Sequence, residues 1–304
     1  MAGELGEVVH RIIEWINLGA LLLLSGAVIF LGTVWTRAEV SSTTGTSAVD
    51  RRFARRWKRF VAGAWLAAAG ASVASLVLRP DARPYDLLEL GMLGVLAGLA
   101  LSSTTLRRGA GPTLLAGLVV LGLLLRAALA GHAKASSPLV PNVLAALVHV
   151  TAAAVWLGGL AVLIAVAFPA LKEAHEVERV KVMARVVSRF SDLAVVAVFA
   201  IVVSGTYAAW VEIRTLGALT GSAYGLVFLA KIGTFVPVLA LGAINNRWTK
   251  PRILRAAREH EHRGERPLLV LYRLMGLEVV LIAVVLGLTA FLMGLSPPAQ
   301  NPSG

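Results

Sequence analysis

No cysteine occurs anywhere in the 304 residues. That excludes a disulfide framework, thiolate metal sites and iron–sulfur clusters, so a soft-metal site has only histidine or methionine to draw on. Charge is scarce as well, at 15% Asp, Glu, Lys and Arg against about 25% in ordinary soluble domains. Ten-residue segments of alternating polarity, the mark of a membrane β-barrel, are missing. No basic leader precedes the first apolar run, which follows Glu4 and Glu7 and is too long for the apolar core of a signal peptide. The first helix is therefore expected to be retained, with its N-terminus outward.

What the chain does contain is one apolar run after another, with 57% hydrophobic residues overall. About 20 residues at 1.5 Å rise match a hydrocarbon core of ~30 Å. Within lipid the backbone must satisfy its own polar groups, so such runs form helices. The spans read as 10–35, 57–79, 85–106, 112–131, 142–170, 187–211, 222–246 and 268–295. The expected fold is all-α, a polytopic membrane bundle of about eight transmembrane helices. It divides into an N-terminal four-helix half (1–141), a second four-helix core (142–295) and a flexible tail (296–304).

The formal charge of +12 is explained by where the charges sit rather than by nucleic-acid binding. Of the 29 Lys and Arg residues, 22 fall in or beside the first, third, fifth and seventh connections. Six (Arg11, Arg79, Arg83, Arg126, Lys134 and Arg214) fall on the other side, and Lys231 stands within a span. The positive-inside rule makes the basic side cytoplasmic and puts both termini outside. Trp35, Trp57 and Trp248 are then expected at the inner boundary, Trp15 and Trp210 at the outer, and Trp65 and Trp156 deeper. Gly94 and Gly98 form a GxxxG pair, a weak signal for close helix packing.

Ionisable groups inside a span cost several kcal/mol unless paired or hydrated. Lys231, about 13 Å deep from outside, and Glu278, about 15 Å deep from inside by helical rise, are expected to pair or to share water. Two readings stay open for them, a structural ion pair or a proton relay. Glu14, Glu89 and Arg126 cluster by depth near the outer boundary, where Arg126 can snorkel to headgroups. Asp192 reads as an interface residue or helix cap. His175, His260 and His262 lie in charged cytoplasmic connections and read as solvated. His10, His132 and His149 share the outer side, and a buried imidazole needs a partner: a metal, a hydroxyl, a carboxylate or a carbonyl. Below His149, Ala153 and Trp156 follow at i+4 and i+7, with Gly158 and Gly159 beyond. That face either lines a narrow path or lets a neighbouring helix approach.

LVHVTAAAVWLGGL (147–160), RFSDLAVVAVFAIVVSGTYAAW (189–210), YGLVFLAKIGTF (224–235), GAINNRW (242–248) and LYRLMGLEVVLIAVVLGLTAFL (271–292) resemble the copper-resistance protein D (CopD) family. GHA before the fifth span and SGAVIFLG in the first also fit. The resemblance implies a multi-pass protein of the cytoplasmic membrane that moves copper inward, often with a periplasmic chaperone of the CopC type. The motif positions fall on His132, His149, Trp156, Lys231, Asn246 and Glu278. Few methionines lie in the outer half, which argues for imidazole coordination by His132 and His149, with Met92 or His10 completing the set. Two alternatives use the same histidines: a membrane haem protein with two axial imidazoles, and a factor that delivers copper to an oxidase. No nucleophile–base pair or nucleotide loop points to an enzyme.

Overall fold

The computed structural model describes residues 2–35, 46–78, 83–101, 110–130, 138–259 and 265–300. Among these residues the regular structure is entirely helical. Its helices are α1 (Ala2–Thr33), α2 (Thr46–Leu78), α3 (Arg83–Ala100), α4 (Ala110–Ala130), α5 (Leu139–Leu171), α6 (Glu176–Ile213), the short α7 (Leu216–Gly221), α8 (Ala223–Glu259) and α9 (Glu265–Met293). A 3-10 turn, Pro298–Gln300, packs on α6. Seven helices (α1, α2, α4, α5, α6, α8 and α9) are long and apolar enough to cross a membrane. The expected third span is present as α3, but its 18 residues rise only about 27 Å and include Arg83, Asp86 and Glu89.

Several helices are longer than the expected spans, α6 and α8 most of all. α6 runs 38 residues without a break, about 57 Å, and absorbs the charged stretch before its apolar run. α8 runs 37 residues. Its basic final part, Lys250–Glu259, turns Ile253 and Ala256 inward and packs against α6. Asp192 therefore lies inside α6 rather than at a helix end, and its carboxylate holds Lys250 at 2.7 Å.

α1 and α5 form the centre of the bundle. They cross at Gly26 and Gly158, where a β-carbon on Gly26 would lie 1.9 Å from the Ala154 carbonyl oxygen. A β-carbon on Gly158 would lie 2.6 Å from Gly26 Cα, and one on Gly159 would enter the Phe190 ring. Gly158 and Gly159 thus admit close neighbours, one of the two readings of this segment. Gly94 and Gly98, by contrast, face open space with nothing within 4 Å.

Tryptophan placement corrects the boundary expectation. Trp35 and Trp57 are sealed in the core, with Phe53 stacked on Trp35 at 4.1 Å, and Trp57 Nε1 donates to the Ala100 carbonyl at 2.6 Å. The start of α2 folds this aromatic stack against α1 and α3, which removes both indoles from the surface. Trp248, Trp210 and Trp15 are exposed. Trp65 donates to the Leu93 carbonyl at 2.9 Å, and Trp156 is buried, as expected for the deeper pair.

Candidate functional site

A cavity of about 460 Å³ lies among α1, α5, α6, α8 and α9. Its walls are almost wholly apolar. The ionisable side chains lining it are His149 from α5 and Lys231 from α8, and hydroxyls come from Thr206 and Thr289. His149, Ala153 and Trp156 share one face of α5 and all line the cavity, as the i, i+4, i+7 spacing requires. Trp156 meets Phe235 of α8 edge to face at 5.9 Å between ring centroids.

The tautomer of His149 can be argued from its partner. Ser204 is buried, and its hydroxyl donates to the Ala200 carbonyl at 2.5 Å. A hydroxyl carries one proton, so toward His149 Nδ1, 3.0 Å away, Ser204 can only accept. Nδ1 therefore holds the ring proton, and Nε2 keeps its lone pair. This is the arrangement in which a second neighbour prepares an imidazole for a metal ion or a proton. Gly205 makes the approach possible, since a β-carbon there would stand 3.3 Å from His149 Cε1. Sequence reading missed Ser204 and Gly205 as site residues, although both lie in the SGTY motif.

One end of the cavity carries acidic groups. His10 Nε2 sits 3.0 Å from Glu14, and Glu14 is one turn above Leu18, which lines the cavity. Glu212 accepts from Tyr224 near the Ala209 and Phe228 walls. Lys231 is within electrostatic reach of both Glu212 and His149. His132 lies outside the described residues. Met92 does not line the cavity: its sulfur packs against Gly122, between α3 and α4. Among the described residues no group of three His, Asp or Glu side chains converges on one point, and His149 is the one imidazole on the cavity wall. These residues give the haem alternative no support.

Two polar clusters lie elsewhere. Arg126 does not snorkel. It binds the buried Asp86 at 2.9 Å and the buried Glu89. Asn17 and Ser72 also donate to Glu89, at 2.9 and 2.6 Å, and Ser75 donates to Asp86 at 3.1 Å. Four helices are thereby joined, and a guanidinium with two carboxylates to satisfy has no reason to reach for headgroups. In the second cluster, Glu278 accepts from Asn245 Nδ2, and Asn246 Oδ1 accepts from Ser191 at 2.9 Å. The expected Lys231–Glu278 pair does not form. Asn245, level with Glu278, follows Lys231 by 14 residues, which separates them by about 21 Å along the helix.

Comparison with known proteins adds a family. The family model described as copper resistance protein D matches residues 184–292. That segment contains Ser204, Lys231, Asn245, Asn246 and Glu278, while His149 precedes it. The copper transport protein CutJ of Bacillus subtilis (strain 168) is 35% identical over 118 residues, 39% of this chain and 21% of the relative. The chain thus spans about a fifth of that relative's length. No solved structure matches.

Proposed function

We propose that this chain carries copper ions inward across the cytoplasmic membrane, with His149 as a ligand in the cavity, in keeping with the match of residues 184–292 to the copper resistance protein D model. The observation that carries this reading is the Ser204-held tautomer, which leaves Nε2 open on a ring of the cavity wall. Imidazole suits copper in either oxidation state, and the Bacillus subtilis relative is named a copper transport protein. Glu14 and Glu212 supply negative charge near the entrance. His10 and His132 take the ion there before it descends. His149 stands ten residues inside α5, about 15 Å below the start of that helix. Trp156 against Phe235 bounds the cavity below His149.

The same reading makes α3 an eighth crossing helix. Its carboxylates are answered by Arg126, Ser72, Ser75 and Asn17, which lifts the main objection to placing them in lipid. Both termini then lie outside, in keeping with the Lys/Arg asymmetry, and a soluble CopC-type protein would deliver the ion. The division at 141/142 marks a helix-bundle core added to an N-terminal half, with α1 packed across it onto α5. The test is copper accumulation by cells or sealed vesicles carrying wild type, His149→Ala or His132→Ala. Each substitution should abolish copper-dependent uptake at normal protein level, and uptake equal to wild type in the His149 variant would end the proposal. Flux into vesicles also separates transport from mere delivery to another protein.

A further inference from the structure

Glu278 is 2% exposed, within α9. A carboxylate in a lipid-spanning helix persists when it is paired, hydrated or neutralised. The ion pairs among described residues do not include it. On α6, Asp192 is committed to Lys250 of α8, and Arg189 is exposed. Arg247 of α8 and Arg273 of α9 are exposed. α1 from Asn17 to Trp35 and α5 from Val150 to Leu171, both packed on α9, contribute no ionisable side chain. Glu278 thus has no cation against it, and its partner is the Asn245 amide, which donates through Nδ2.

The other half of that amide supplies the clue. Asn245 Oδ1 is buried and has no hydrogen-bond partner. A carboxylate is acceptor-only and cannot serve it, whereas a carboxylic acid carries an O–H donor. One proton on Glu278 would do two things together: remove the uncompensated charge, and donate to Oδ1 while Nδ2 donates back. The result is a two-bond acid–amide pair. Turning the amide by half a rotation would set two oxygens face to face, which again requires a proton between them.

The backbone presents the amide for this purpose. α8 widens into a π-helical turn at Asn245–Thr249, a distortion frequent at functional sites. Across it the consecutive residues Asn245 and Asn246 address different helices, one bonded to Glu278 of α9 and the other to Ser191 of α6.

We propose that Glu278 and Asn245 form a proton-binding site on the inner side of the bundle, occupied at neutral pH, separate from the outer cavity and independent of what that cavity carries. Release leaves Glu278 as a carboxylate and passes the proton to water on the basic, inner side. Infrared difference spectroscopy of the protein in lipid nanodiscs at neutral pH tests this. A protonated-carboxyl C=O band should be present in wild type, be lost in Glu278→Gln, and change frequency in Glu278→Asp and in Asn245→Ala. Gln keeps both hydrogen bonds to Asn245, so that variant should retain its fold. A difference titration should show wild type binding one more proton than Glu278→Gln on passing from alkaline to neutral pH. Superimposable spectra and titrations would overturn the proposal.

Discussion

Ser204→Ala is a sharp perturbation of the outer site because it leaves every proposed ligand in place. The hydroxyl accepts from His149 Nδ1 at 3.0 Å inside a buried contact. Once Nε2 binds a cation, the ring becomes partly positive, and a hydrogen bond from such a group contributes about 1.5–3 kcal/mol. At 1.4 kcal/mol per decade, its loss should weaken metal binding by about 10–100-fold, the range typical for removing the partner of a metal-bound imidazole. Competition titration of the purified protein with a copper-specific chelator reads this directly. Ser204→Thr keeps an oxygen at the same position and should recover most of the affinity, whereas His149→Ala should remove the site. If Ser204→Ala binds copper as tightly as wild type while His149→Ala does not, the tautomer reasoning fails. If neither variant changes binding, His149 is not a ligand.

Replacing Arg126 by Leu strands Asp86 and Glu89 without their cation and should cost about 3–5 kcal/mol, read as a lower midpoint of thermal unfolding in detergent; a snorkelling arginine would give almost no shift. Gly26→Ala drives a methyl group to 1.9 Å from a backbone oxygen and should abolish accumulation of folded protein, while Gly94→Ala and Gly98→Ala, which meet nothing within 4 Å, should leave unfolding within about 0.5 kcal/mol of wild type. A protonated Lys231 on the cavity wall opposes a bound cation, so Lys231→Met should tighten copper binding. Isothermal titration would measure that change, and weaker binding would show that the ammonium does not oppose the ion.

Much of the bundle was legible because lipid imposes a simple demand on hydropathy, and seven long apolar helices answer it. The shared face of His149, Ala153 and Trp156 was legible for an equally plain reason, the fixed angular step of a straight helix. Legibility ended where local counting meets tertiary contact. Trp35 and Trp57 sit beside a basic cluster, which reads as a boundary, yet stacking on Phe53 buries both. Lys231 and Glu278 were measured from span limits that take no account of how far α8 runs past its apolar core, so a pair was expected across what is a 14-residue offset. Asn246 was named from the family resemblance alone, and nothing in the letters NN announces that Asn245 bonds Glu278 while Asn246 bonds Ser191. Ser204 looked like a small residue in an apolar run, and its role exists only through the ring it supports.

The crossing of α1 and α5 has a mechanical corollary. Where two helices touch through long side chains, rotamers can give and the axes can slide. At Gly26 and Gly158 the main chains themselves are in contact, leaving no soft material between them. That wall behaves as a fixed post. Any widening of the cavity must then come from the opposite side, where α8 leans on α9 and faces the post across open volume. The bundle, on this view, is a stator with one movable jamb.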